Sequence, residues 1–457
     1  MKRDNGLGLG GMRRVGVGAD AGGEGGVDMS ADGGSGIGIG GGGSSSGGGS
    51  GGGRQGGTGQ AGAAGLSALR GPNTARVLDL LRTAGEGGIS RLELAAGSGL
   101  TPQAVSKITA RLRSEGLVAD AGRRASTGGK PATVLRLVPS AAYAIGIHLD
   151  RDELTAVLLD LSGARVAERR SPLDLGAGAD TVLAAVGTEV EALRGQLGAA
   201  PLPTPVSAPA PAPAAVPVPV SAPAPVPAAG AAPGRVLGVG VAMPGPLDHW
   251  AGRPGRVTGF PAWEGFPLRD ELVRRLGVPV VVDKDTNAAA LGLALRPGAP
   301  GSFAYVHLGT GLGAGLVLGG AVLRGGRTGA GELGHQTVQM DGPPCECGGR
   351  GCLEVLCLDA LARGEVTRAA RVLGTGAANL VRLLDIDRVL LGGRAVLADP
   401  QAYARGVREV LGGLGLPADV EVAGTPHPVA EGAAQLVLAP VFGKEPHVRR
   451  SHDREIG

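Results

Sequence analysis

The sequence predicts an α/β protein in which a small winged helix–turn–helix precedes a larger, internally duplicated α/β domain. Three observations predict it. Residues 74–114 carry three short helical patterns separated by turn signals, and a basic, Gly-rich hairpin follows them. Residues 146–163 (GIHLDRDELTAVLLDLSG) and 305–322 (YVHLGTGLGAGLVLGGAV) repeat one strand–turn–strand pattern, with His148-Leu149 and His307-Leu308 at the same place. Around and after these hairpins, strand patterns alternate with helical ones.

In the helical module, residues 74–82 (TARVLDLLR) place Val77, Leu78, Leu80 and Leu81 on one face. A second helix begins after Ser90, a good N-cap, and runs to Ala96; Gly97 to Leu100 form a turn. A third begins after Thr101, with Pro102 at its first position. Val105, Ile108 and Leu112 point inward there, leaving Gln103, Ser106, Lys107, Thr109 and Arg111 on a polar face. Two strands then flank the tip Gly122-Arg123-Arg124 to Lys130-Pro131, a wing. Thr101, Gln103, Ser106, Lys107 and Arg111 are the candidate DNA-reading residues, because small polar and basic side chains suit base edges in a major groove. Arg123, Arg124 and Lys130 are candidates for phosphates or the minor groove. The alternative is a helical protein-interaction module with merely solvated charges, against which the basic tip argues. The module is assigned residues 66–138.

Residues 144–150, 153–161 and 164–170 read as three consecutive strands, residues 179–197 as a helix and residues 235–243 as a further strand. Residues 199–234 hold twelve prolines and no charge, which forbids a packed helix and favours polyproline II. Because the α/β alternation resumes beyond it, this insert is a surface loop within the domain spanning 139–446; an SH3-type ligand is the functional alternative. A helix is expected at 268–276 and a buried strand at 279–282. Asp283-Lys284-Asp285-Thr286-Asn287 follows that strand, and a carboxylate there sits where open α/β sheets bind ligands.

The two repeated hairpins differ at their turns. Gly309-Thr-Gly-Leu-Gly313 can present backbone N–H groups to a phosphate or be merely a tight hairpin. Asp150-Arg151-Asp152-Glu153 carries three carboxylates that would repel one.

Composition bounds the rest. Of 87 glycines, 29 lie in the first 65 residues, so the bulk composition misdescribes the folded part. Residues 1–65 are read as disordered, since they bury too little apolar surface to offset ordering entropy, and residues 447–457 as a flexible tail. A net charge of +3 does not by itself imply nucleic-acid binding, so any basic patch is local. With only 2% aromatics the core must be built from Ala, Val and Leu. No signal peptide and no apolar run of membrane-spanning length is present, so a cytoplasmic, reducing location is expected.

Three of the four cysteines cluster at Cys345, Cys347 and Cys352, and His335 lies ten positions upstream of the first. Three thiolates and one imidazole make a closed tetrahedral set for structural zinc, and the intervening glycines allow the thiolates to converge. A disulfide needs an oxidising compartment, for which there is no sign. Cys357 is read as an ordinary buried thiol.

These residues resemble the ROK family of repressors and sugar kinases. The resemblance covers about residues 70–445 apart from the insert. It is carried by Glu332-Leu-Gly-His335, by Cys345-Glu-Cys347-Gly-Gly-Arg-Gly-Cys352-Leu-Glu354, and by the winged helix ending in Gly128-Gly-Lys-Pro131, which occurs in the family's regulators and not its kinases. It implies an actin-like ATPase (ribonuclease H-like) fold. It further implies that Glu332, His335 and Glu354 bind sugar hydroxyls, that His335 also holds zinc, and that Asp285 stands where the kinases carry their base. Three departures matter. Lys284 replaces an asparagine; His148-Leu149-Asp150-Arg151-Asp152 replaces the first phosphate motif Asp-x-Gly-Gly-Thr; Gly259 replaces an asparagine before the Pro-x-Trp segment. The first two oppose phosphorylation, and Lys284 can favour a phosphorylated or acidic ligand. Only about thirty residues separate Cys357 from the strand at Arg388, so some cleft-covering or dimer helices are expected to be missing.

The expected function is therefore a zinc-containing, sugar- or sugar-phosphate-responsive transcription factor. It would be a repressor of carbohydrate genes that binds operator DNA as a homodimer or dimer of dimers. The competing readings are a sugar kinase with an appended DNA-binding domain and a scaffold that binds DNA without a ligand.

Overall fold

The computed structural model describes residues 71–124, 132–198 and 235–444. Segments 1–65, 199–234 and 447–457, and the hairpin tip at 125–131 with Lys130, lie outside the described residues.

The described residues open with α1 (Pro72–Ala84), whose buried face is Val77, Leu78 and Leu81. After β1 (Ile89–Ser90) comes α2 (Arg91–Ser98), entered through a reciprocal cap: Glu93 N donates to Ser90 Oγ at 3.2 Å and Ser90 N donates to the Glu93 carboxylate at 2.8 Å. The helix thus keeps Gly97 and Ser98, and the turn starts only at Gly99. α3 (Pro102–Ser114) starts from Thr101, whose hydroxyl accepts from Ala104 N at 3.2 Å. β2 (Val118–Arg124) and β3 (Ala132–Leu137) pair antiparallel, and β1 joins β3 to complete a three-stranded sheet.

The larger part contains β4 (Ala142–Leu149), β5 (Glu153–Asp160), β6 (Arg165–Pro172), α4 (Ala179–Gly198) and β7 (Arg235–Met243). There follow β8 (Leu247–Asp248), β9 (Arg253–Pro254), α5 (Leu268–Leu276), β10 (Val280–Lys284) and α6 (Asp285–Ala294). Next come β11 (Phe303–Leu308), β12 (Leu312–Leu318), β13 (Ala321–Leu323), α7 (Leu353–Ala362) and α8 (Val366–Leu384). The chain closes with β14 (Arg388–Gly392), α9 (Arg394–Ala398), α10 (Pro400–Gly413), β15 (Asp419–Val422) and α11 (Pro428–Leu438). The strand expected to end at Val282 runs two residues further, because Asp283 and Lys284 continue the parallel register against Ala242 and Met243. The short stretch before β14 is filled by the end of α7 and by all of α8.

Two five-stranded sheets share one topology. Their orders are β10-β7-β4-β5-β6 and β15-β14-β11-β12-β13. In each, the central strand pairs antiparallel with the next strand in sequence and parallel with its other neighbour. His148 and His307 are each the penultimate residue of their central strand, as the repeat required.

Helices α6 and α11 pack on each other and on these sheets through very small residues, Ala288 to Ala290 on one and Ala430, Ala433 and Ala434 on the other. Glycine permits the approach: a methyl group on Gly240 would stand 1.8 Å from Ala433 O, and one on Gly432 would stand 1.9 Å from Ala288 O. The scarcity of aromatics is thereby answered by backbone-to-backbone closeness rather than by large side chains. The end of α11 and the turn after it leave this layer. Leu438, Val441 and Phe442 join a buried cluster with Val77, Leu78 and Leu81 of α1.

Candidate functional site

The loop after β13 folds back so that a short turn (Leu333–His335) brings His335 to the cysteines. A tight knuckle, with Gly348 N donating to Cys345 O and Cys345 N to Gly349 O, each at 2.9 Å, turns Cys345 and Cys347 toward Cys352, the N-cap of α7. His335 Nδ1 lies 3.7 Å from Cys345 Sγ, and the Cys347 and Cys352 sulfurs lie 3.8 Å apart. One ligand atom from each of the four residues falls within 4.8 Å of the others, a set able to hold a metal ion. Cys357 stands apart: it is buried, its Sγ points at Ala369 O at 3.7 Å, and burial pushes its pKa up to about 12.

Asp285, Glu332, His335 and Glu354, drawn from three separate stretches of sequence, line a single cavity together with Asp150, Arg151, Lys284 and Thr310. His335 therefore belongs to both the cysteine cluster and the cavity wall. Asp285 opens α6 and accepts from Thr286 N at 2.5 Å. Although part of the side chain faces the cavity, the protein packed around its carboxyl pushes its pKa up to about 7 against the pull of Lys284. Glu354 Oε2 accepts from Leu312 N at 2.8 Å, tying α7 to the β11–β12 turn.

Lys284 is bonded within the protein. Its ammonium donates to Glu332 Oε1 at 3.0 Å and to Ala330 O at 2.6 Å, and the side chain is 3% exposed. It is thus committed to the protein and not held out to an acidic ligand. Behind it, Asp283 Oδ2 accepts from Arg324 Nε at 2.8 Å and Nη2 at 2.6 Å, and both side chains are buried. This pair anchors the start of the loop that carries Glu332.

The two hairpin turns meet at the cavity. Thr310 Oγ1 donates to Asp150 Oδ1 at 2.5 Å, and Arg394 donates to both Asp152 oxygens at 2.8 Å. Burial pushes the Asp150 carboxyl up, but His148, the Thr310 hydroxyl and Arg151 N outweigh it and hold it below its usual range. Burial lowers the pKa of the facing imidazoles, with His307 pushed down to about 4 and His148 also lowered. The acidic first turn is thus wired into the protein.

In the N-terminal part, Thr101, Gln103, Ser106 and Lys107 are exposed at the start and outer side of α3. Thr109 is not on that face: it is 1% exposed, and its hydroxyl donates to Val105 O at 2.9 Å. Four positions from Val105, it falls on the inner stripe, where a self-satisfied hydroxyl is tolerated. Arg111 is exposed, but its guanidinium reaches back to Thr74 Oγ1 at 2.9 Å. The side chains of Arg123 and Arg124 lie outside the described residues, as does Lys130.

Sequence reasoning missed Arg151, Thr310 and Arg324, whose partners lie far along the chain. Only the acidic run at Asp283 and Asp285 hinted that a buried cation was needed.

Two sheets of identical topology, helices packed between them and a cavity at the ends of their central strands define the actin-like, kinase-like class of α/β proteins. The structure is similar, at a TM-score of 0.61 and 21% identity, to that of a ROK family transcriptional regulator homologous to the E. coli MLC protein, covering 83% of this chain and 98% of that one. The ROK family pattern matches residues 226–363. The chain is 25% identical over 303 residues to the xylose repressor of Bacillus subtilis (strain 168), covering 65% of this chain and 69% of that protein. Over a shorter stretch of 121 residues it is 42% identical to the glucokinase of Thermotoga maritima, covering 26% of this chain and 38% of that enzyme. No helix among the described residues is long and apolar enough to cross a membrane.

Proposed function

We propose that this protein is a cytoplasmic transcriptional repressor of carbohydrate genes whose operator affinity is set by a sugar bound in the cavity. The observation that carries the reading is the convergence of Asp285, Glu332, His335 and Glu354 in one cavity behind a helix–turn–helix pattern. Carboxylates and an imidazole are acceptors for sugar hydroxyls. The likeness to a xylose repressor over 65% of the chain supports the same reading, whereas the likeness to a glucokinase is confined to about a quarter of it. Phosphoryl transfer is opposed by Asp150, which fills its turn with a carboxylate bonded to Thr310.

Residues 66–138 form the winged helix–turn–helix in this reading and residues 139–446 the effector domain. Gln103, Ser106 and Lys107 read DNA from α3, with Thr101 at its start and Arg111 at its edge; Arg123, Arg124 and Lys130 supply the wing. A homodimer or dimer of dimers would place two such helices on a palindromic operator. Lys107→Ala and Gln103→Ala are each expected to weaken binding to a duplex selected from a random-sequence pool by about 1–3 kcal/mol, read by fluorescence anisotropy. Unchanged affinity in both variants would move the DNA contact elsewhere.

The cysteine cluster fits zinc. Ligands at zinc–sulfur and zinc–nitrogen lengths of about 2.3 and 2.0–2.1 Å around a tetrahedron stand roughly 3.5–3.8 Å from one another. The separations of 3.7 and 3.8 Å match that spacing. His335, Cys345, Cys347 and Cys352 would hold the ion, which supplies a fixed crosslink between the loop and α7. With four protein ligands the site is closed, so its role is to orient His335 in the cavity.

Asp285 makes sugar binding pH-dependent. Its carboxyl, faced by Lys284, Asp150 and Glu332, is pushed up to about 7, and only the ionised form accepts two hydroxyl hydrogens without donating one. Affinity for the sugar is expected to fall as pH drops below 7, by as much as roughly tenfold per unit. Calorimetry between pH 6 and pH 8 measures this, and Asp285→Asn should flatten the profile. A pH-independent wild type would remove Asp285 from the contact.

The response has a physical route. Asp285 begins α6, which packs along α11 at the Gly432 crossing. Beyond α11, the Arg82 guanidinium lies 4.9 Å over the Phe442 ring and Lys444 Nζ lies 3.0 Å from Asp79 Oδ2. A sugar that favours one setting of α6 and α11 thereby biases the position of α1.

A further inference from the structure

We propose that the Lys284–Glu332 ion pair is a charge filter that restricts the cavity to uncharged sugars and turns away phosphorylated and acidic ones. This inference rests on the sugar-effector reading and narrows its ligand class.

In the sequence Lys284 reads as inviting an anion, but the geometry reverses that. Two of its three ammonium protons are taken, by Glu332 Oε1 at 3.0 Å and Ala330 O at 2.6 Å, in a side chain 3% exposed. Recruiting it to a ligand phosphate would strip Glu332 of its partner and leave that carboxylate facing the phosphate in a partly desolvated wall. The remaining charged groups point the same way. Asp150, Asp285 and Glu354 contribute carboxylates, against the Arg151 guanidinium as the cation of the wall outside the pair. Arg151 sits 5.7 Å from the Phe260 ring centroid. Carboxylates accept hydrogen bonds from hydroxyls and repel anions, so this wall suits a neutral polyhydroxylated ligand.

The test is calorimetry on the full chain with matched compounds: D-glucose, D-glucose 6-phosphate and D-glucuronate, and D-xylose beside D-xylonate. The wild type is expected to bind at least one neutral sugar 100-fold or more tighter than its charged counterparts. Glu332→Gln keeps the side-chain shape and frees the lysine charge, so it should narrow that ratio at least tenfold, whatever it does to absolute affinity. Lys284→Gln leaves Glu332 unpaired and should widen it. The opposite directions separate a charge effect from a folding defect, which would move both ratios alike. Equal or tighter binding of a charged sugar by the wild type would overturn the filter while upholding the effector reading. Absence of binding by every compound would overturn both.

Discussion

Replacing Cys352 by serine is expected to reduce bound zinc from one ion per chain to none and to abolish the effect of sugar on operator affinity. The reasoning starts at α7. Cys352 is its N-cap, and two residues on, Glu354 fastens the helix to the β11–β12 turn through Leu312 N at 2.8 Å. Loss of one thiolate opens a four-ligand set that also fixes His335. The loss therefore misplaces two cavity residues, one on each side of the metal. Structural zinc sites contribute on the order of 10 kcal/mol of apparent binding free energy in small domains, so a fall in melting temperature should accompany the loss of metal. Cys345→Ser should behave alike, whereas Cys357→Ser should keep its zinc, because that thiol lies outside the cluster. Elemental analysis and DNA-binding titrations read the two consequences separately. A zinc-free variant with an intact sugar response would break the proposed coupling.

Leu438→Ala is the second large effect. This side chain is fully buried at the end of α11, in the cluster shared with α1. Truncation should cost about 2–5 kcal/mol of stability. Its specific consequence is expected in regulation: the sugar-induced change in operator affinity should collapse toward unity while DNA affinity without sugar is largely kept. Leu272→Ala supplies the comparison, since Leu272 is equally buried but in the core cluster of the β4 sheet, away from α1. Similar loss of response in both variants would trace the effect to stability rather than to the path from α6 through α11.

Local features of this protein were legible in its sequence, and their reasons are local. Ser90 and Thr101 announce helix starts because capping is settled within three residues. The hairpins were readable because alternation and turn chemistry act over short spans, and the matching positions of His148 and His307 followed from the repeat. The Cys/His spacing foretold a cluster because the glycine knuckle closes within seven residues. What escaped were partners distant in sequence. Lys284 reads as an offered cation until Glu332, 48 residues on, is placed beside it. Asp150 reads as one of three repulsive carboxylates until Thr310, 160 residues on, donates to it. Thr109 was assigned by polarity to a face that its helical phase with Val105 denies it. The packing of the last described turn on the first described helix has no local signature, since Phe442 and Leu78 are ordinary apolar residues until the fold joins them.

The central claim is that sugar in the cavity controls DNA binding by the distant helix–turn–helix. Fluorescence anisotropy of the wild-type chain on a duplex selected from a random-sequence pool, titrated with D-xylose and with D-glucose, tests it most directly. The account predicts sequence-specific binding that one of these neutral sugars weakens at least tenfold, with no such effect in Asp285→Asn. Specific DNA binding indifferent to both sugars, or no specific binding at all, would contradict it.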